Sequence, residues 1–248
     1  MSKIYDALKR AERERESARG RENGHPLDVR AVRADPAGPN GRSNGQEEDD
    51  YRRLRASLLF APAYSEVRTI AVTGTRHGEG ATRVAVGLAR ALAGEGETRV
   101  LLVEANLRTP SFGRLLPVGS GPGFAEFLAG EASAASLIMP LRAWNLSVIT
   151  AGVRPAVIDC EAIAGAVLQV IEQFDFVIID LPPVNRYADA SILAPKVDGV
   201  ILVVEADRTP VVDAESAKKS LDRVGARIFG VVLNRRRSYV PATLQALL

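Results

Sequence analysis

The sequence predicts an open three-layer α/β sandwich, with a mainly parallel sheet between two helical layers and a flexible N-terminal segment ahead of it. Three observations predict it. From residue 68 onward, short runs rich in Val, Ile and Leu recur with little polar alternation, as strands buried on both faces do. Segments of helical periodicity separate these runs, and that alternation gives right-handed crossovers between parallel strands. Three of the runs end in glycine-rich, acidic or proline-rich turns, and an open sheet of this kind gathers its ligand outside the carboxyl ends of its strands.

The elements follow in chain order. Residues 2–17 read as a charged amphipathic helix, with Ile4, Ala7, Leu8 and Ala11 at helical spacing. It is either a solvated, fraying helix or a docking helix for another protein. Residues 18–46 are rich in Gly, Asn, Pro, Arg and Asp and carry almost no large apolar side chains. Such a segment cannot bury enough surface to offset its ordering entropy, so a flexible linker is expected. Glu47, Glu48, Asp49 and Asp50 then open a helix that runs to Phe60, with acidic side chains in the turn where the helix dipole favours them. Strands are expected near 69–74, 99–104, 146–150, 176–180, 199–205 and 227–233, and helices near 81–94, 123–129, 158–173, 188–195 and 210–223. The main domain therefore spans 47–240, with a short apolar tail at 241–248.

Bulk properties bound the function. The 248 residues suffice for one sizeable α/β domain and a tail. A net charge of +2 argues against a nucleic-acid footprint. The single cysteine, Cys160, excludes an intramolecular disulfide and fits a reducing compartment, where it reads as a small structural residue. No run of about 18 apolar residues exists, and the first residues lack the apolar core of a signal peptide. The expectation is a cytoplasmic protein that reaches a membrane only through a partner.

The most informative stretch is Gly74-Thr75-Arg76-His77-Gly78-Glu79-Gly80-Ala81-Thr82. An apolar run leads into it and a helical pattern leads out, which is the strand, loop and helix context of a phosphate-binding loop. Glycines there let backbone N–H groups approach a polyphosphate, and the helix N-terminus adds partial positive charge. Thr82 stands where a hydroxyl normally holds Mg²⁺; Ala81 stands where a lysine is expected. The glycines have a plainer reading as turn residues, and Asp180 as a cap of the segment that follows it. Trp144, ahead of a strand, reads as packing.

Several segments together resemble a known family, the bacterial tyrosine autokinases of capsule and exopolysaccharide export. These belong to the P-loop NTPase-like class that also holds the deviant-Walker partition and cell-division-site ATPases. Asp49-x-x-Arg52-x-x-Arg55 is similar to the family's Glu-x-x-Arg-x-x-Arg helix, which packs between subunits of ring oligomers. Gly78-Glu79-Gly80 is similar to its glycine loop, and Glu104-Ala105-Asn106-Leu107-Arg108 matches the frame of its Asp-x-Asp-x-Arg segment. Asp180-Leu181-Pro182-Pro183 matches its Asp-x-Pro-Pro strand end, and Gly230 to Arg235 continues the match in order. The resemblance covers roughly residues 47–240.

The resemblance implies ATP and Mg²⁺ as cofactors. It places nucleotide at Arg76, Gly78, Glu79, Gly80, Ala81, Thr82, Arg83 and Asn234, and metal at Thr82 and Asp180. It gives catalysis to Glu104, Asn106, Arg108 and Asp180, and a homo-oligomeric interface to Asp49, Arg52 and Arg55. It implies an inner-membrane polysaccharide co-polymerase or export protein as partner. The pattern breaks at the chemistry. The lysine is Ala81, the first carboxylate of the second motif is Glu104, the second is Asn106, and only Tyr239 remains of the tyrosine-rich tail. Losing one hydrogen bond from a charged group costs about 1.5–3 kcal/mol, or roughly ten- to a hundredfold in phosphate affinity. Arg76 is the candidate to replace that cation. Arg83, two places past Ala81, is turned about 200° around the helix. The sequence thus points to a catalytically impaired kinase-like subunit of polysaccharide export. The alternatives are an active tyrosine kinase or ATPase with an atypical loop, and a non-enzymatic positioning protein like the partition ATPases.

Overall fold

The computed structural model describes residues 44–59, 67–94, 98–153 and 173–235. The expected N-terminal helix, most of the linker, the helix near 158–173 with Cys160, and the C-terminal tail with Tyr239 lie outside the described residues.

Among the described residues seven strands form one sheet: β1 Thr69–Gly74, β2 Val100–Glu104, β3 Met139–Leu141, β4 Leu146–Ile149, β5 Phe176–Asp180, β6 Gly199–Glu205 and β7 Ile228–Asn234. Their spatial order is β3-β4-β2-β5-β1-β6-β7. Every pairing is parallel except β3 with β4. The six expected strands lie within a residue of their reading at each end. The unexpected β3 is a three-residue edge strand with Pro140 at its centre, a residue that only a sheet edge tolerates.

The helices among the described residues are α1 Asn44–Leu59, α2 Ala81–Ala93, α3 Phe112–Leu115, α4 Phe124–Leu128, α5 Ala134–Leu137, α6 Ala188–Leu193 and α7 Val211–Arg223. Helix α1 starts three residues earlier than expected, so Asn44 to Gln46 belong to it and not to the linker. The strands bury both faces, and each face has its own core. Ile70, Val72, Leu102 and Ile178 pack under α1 and α2, while Leu101, Val103, Val177 and Ile179 pack on the α7 side. Seven residues of α2 are buried, and full burial of a Val or Leu side chain stabilises by about 1.5–3 kcal/mol. Helix α1 docks on α2 through Tyr51, whose ring fills the notch left by Gly87; a Cβ at Gly87 would lie 2.2 Å from that ring. The Tyr51 hydroxyl donates to the Arg83 carbonyl at 3.3 Å.

This arrangement brings the carboxyl ends of β1, β2 and β5 together. Order across the three is fixed at the strand exits. The Ala105 N–H donates to the Asp180 carbonyl at 3.0 Å, and the Leu181 N–H to the Val72 carbonyl at 2.9 Å. The Thr73 hydroxyl donates to the Pro182 carbonyl at 2.8 Å.

Candidate functional site

Between β1 and α2 the chain makes the tight turn that the glycines allow. Gly78 has φ 87° and Gly80 φ 89°, both in the left-handed region. At Gly80 a second constraint acts, since a Cβ there would sit 2.2 Å from Asn234 Nδ2. Asn234 is buried at the end of β7, where Nδ2 donates to the Glu79 carbonyl at 2.7 Å and Oδ1 accepts from the Arg235 N–H. Its side chain therefore holds the loop and is turned away from solvent.

Glu79 is the centre of the loop. Its carboxylate accepts from the Thr75 N–H at 2.6 Å, the Thr75 hydroxyl at 2.6 Å and the Arg76 N–H at 2.8 Å. A fourth donor comes from outside the loop, the Thr209 hydroxyl at 2.6 Å, in the turn after β6. The side chain faces inward and braces the turn. Sequence reasoning missed both this role and Thr209; the signal was a hydroxyl four residues past the end of a central strand.

The apex of the loop is held on two flanks. The Arg76 guanidinium pairs with Asp213 on α7. His77 Nε2 lies 3.2 Å from the Tyr187 hydroxyl, with the rings edge to face. Arg76 thus faces a carboxylate and not the start of α2, where Ala81 presents a methyl group. Arg83 lines a groove between α1 and α2 beside Tyr51, as its rotation around the helix requires, so it is not gathered with the loop. Thr82, by contrast, is half-buried in the first turn of α2 and lies close enough to act on Asp180.

At the neighbouring strand ends two carboxylates stand side by side, Glu104 of β2 in register with Asp180 of β5. Glu104 is fully engaged with backbone. One oxygen accepts from the Ser111 and Phe112 N–H groups at the start of α3, and the other from the Ala151 N–H at 3.0 Å beyond β4. Asn106 Oδ1 accepts from the Thr109 N–H at 3.2 Å and from its hydroxyl at 3.3 Å, closing a local turn. Arg108 Nε donates to the buried Asp189 at 3.1 Å, and its guanidinium lies 5.3 Å from the Tyr187 ring centroid.

Asp180 is different. It is completely buried, and neither carboxylate oxygen has a hydrogen-bond partner of normal geometry. It therefore caps nothing. Burial pushes its pKa well above the usual carboxylate range and the Glu104 charge adds to the rise, with only the Thr82 hydroxyl opposing it. An unmatched buried carboxylate beside a hydroxyl at a helix start is the donor chemistry of a hard divalent cation.

Helix α1 carries the expected interface residues. Asp49 and Arg52 pair at 3.3 Å with both side chains largely exposed, and Arg55 is half-buried one turn further on. Trp144 packs against the α1/α2 core as expected, with the Arg90 guanidinium 4.2 Å from its ring centroid.

Comparison with known proteins is consistent with this geometry. A family model described as ParA, NUBPL iron-transfer P-loop NTPase, matches residues 66–246. The tyrosine-protein kinase CpsD of Streptococcus agalactiae is 29% identical over 199 residues, spanning 78% of this chain and 86% of that protein. The succinoglycan biosynthesis transport protein ExoP of Rhizobium meliloti is 30% identical over 194 residues, spanning 75% of this chain and 25% of that protein. Among solved structures, the chimerical protein CapA2B2 shares the fold with a TM-score of 0.72 at 24% identity, covering 86% of this chain and 96% of that one.

Proposed function

The chain belongs to the ParA family of P-loop NTPases, and on that premise we propose that it is a kinase-like regulatory subunit of polysaccharide export, with catalysis impaired or lost. The link to polysaccharide rests on its relatives, which include bacterial tyrosine kinases and a succinoglycan transport protein. The single observation that carries the impairment is the use of the second-motif carboxylate. Glu104 is bound by three backbone N–H groups and Asn106 is uncharged, so neither offers a free base beside the loop. Phosphoryl transfer relies on positioned charge more than on covalent chemistry, and Ala81 removes a further cation from the same cradle.

Binding is the better-supported half of the activity. The backbone N–H groups of residues 78–82 and the start of α2 would hold the phosphates, and Thr82 with Asp180 would hold Mg²⁺. When bound, that metal supplies neutralisation of phosphate charge. Arg108, held by Asp189, would add a further cation to the site. Assembly through Asp49, Arg52 and Arg55, and attachment to the inner membrane through a co-polymerase or export partner on its cytoplasmic side, complete the reading.

Calorimetric titration with ATP and Mg²⁺, followed by phosphotransfer to a tyrosine-rich peptide, tests it. The native chain is expected to bind weakly and transfer little, and Ala81→Lys to tighten ATP binding by roughly ten- to a hundredfold. Rapid magnesium-dependent transfer by the native chain would reject the impaired reading in favour of an active kinase with an atypical loop.

A further inference from the structure

Away from the glycine loop, a cavity of about 650 Å³ runs between α1, α2 and the turn at residues 142–145. The phosphate chemistry proposed above does not use it, and of the proposed assembly residues only Arg52 reaches its rim. It follows α2 from Arg83 to Gly94, which at 1.5 Å per residue is about 16 Å, enough for roughly five residues of extended chain. Its lining includes the apolar side chains of Val86, Ala91 and Leu115. Four arginines line it, Arg52, Arg83, Arg90 and Arg142, with the carboxylates Glu47 and Glu48 beside them and Asp49 paired to Arg52.

The far wall is built and not incidental. Residues Arg142–Trp144 form a 3₁₀ turn closed by Asn145 at φ 48°, a left-handed conformation that asparagine adopts more readily than most residues. Asn145 Nδ2 donates to the Ala93 carbonyl at 3.1 Å, which fastens the turn to the end of α2. Trp144 is thereby set against Arg90, and the planar guanidinium is held over the ring.

We infer that this groove docks an acidic segment of a partner protein, one bearing an aromatic or aliphatic side chain among its carboxylates. The excess of guanidinium groups selects the charge, and fork-shaped guanidinium donors match carboxylates. The elongated outline along a helix selects an extended chain. Val86, Ala91, Leu115 and the Trp144 ring select one anchoring apolar side chain. The chain's own first 43 residues are the wrong occupant, since they contain ten basic and seven acidic residues. The inference deepens the regulatory reading by giving the partner a chemistry, and rests on it only to that extent.

Trp144 is the single tryptophan, so its fluorescence reports this groove and not the glycine loop. The experiment titrates the full chain with a synthetic hexapeptide of five glutamates and one phenylalanine, alongside its glutamine counterpart and ATP with Mg²⁺. A saturable change in Trp144 emission is expected with the acidic peptide alone, weakening as salt rises. Calorimetry should show at least about tenfold weaker binding in Arg142→Glu, an exposed change that leaves the fold intact. Equal binding of the glutamine peptide, or indifference to Arg142→Glu, would overturn the inference. So would an acidic peptide that fails to bind while Arg142→Glu dissolves a self-association seen by mass photometry, which would make the groove a contact between copies. An ATP response of Trp144 abolished by the same change would make it a nucleotide site. The ATP and phosphotransfer experiment for the proposed function does not involve Arg142, so the two readings fail separately.

Discussion

Glu104 and Asp180 are register neighbours at the ends of adjacent strands, equally hidden from solvent, yet one accepts three backbone N–H groups and the other accepts none. Burial alone therefore does not distinguish a structural carboxylate from a ligand. Partner count does. A buried anion whose lone pairs are all taken is part of the framework. One whose lone pairs are unmatched is a cost to the framework that a bound cation would remove.

The contrast can be broken most forcefully at Glu104. Glu104→Ala strands three backbone donors and should destabilise the chain by about 4 kcal/mol, lowering the thermal midpoint by roughly 10 °C. A midpoint within a degree or two of the native value would show that Glu104 is not structural. Asp180→Asn should act in the opposite sense without ligand, raising stability by about 1–2 kcal/mol at pH 8. The sign follows from its raised pKa. The folded chain binds this proton more tightly than the unfolded chain, so stability falls as pH climbs from the ordinary carboxylate range through the raised value. Denaturant unfolding from pH 4 to 8 should show that fall in the native chain and a flatter profile in Asp180→Asn, which should also lose any Mg²⁺-dependent thermal shift. The smallest effect sharpens the rule on a third carboxylate. Glu79 resembles Glu104 in being fully engaged, and Thr209→Val removes one of its four donors, with an expected loss of about 1 kcal/mol by chemical denaturation.

Much of the frame was legible because strand burial and helix periodicity are written locally. Val100–Glu104 and Phe176–Asp180 announce themselves as apolar runs, and Gly78 and Gly80 as turn residues. Helix α3 was not legible, since four residues carry no periodicity and its start is fixed by Glu104, seven positions earlier. The direction of side chains at the site was equally hidden. Arg76 finds Asp213 and Glu79 finds Thr209 across more than a hundred residues, and Asn234 turns inward because Gly80 leaves it room. Those pairings are products of the sheet order, which motif spacing does not encode.

The internal brace of the glycine loop has a consequence for affinity. Glu79, Thr209 and Asn234 brace the turn from within the protein. A ligand arriving at such a rigid receptor immobilises little additional chain, so the entropic penalty of association is small. On the proposed reading, that preorganisation would keep nucleotide binding measurable although Ala81 supplies no ammonium.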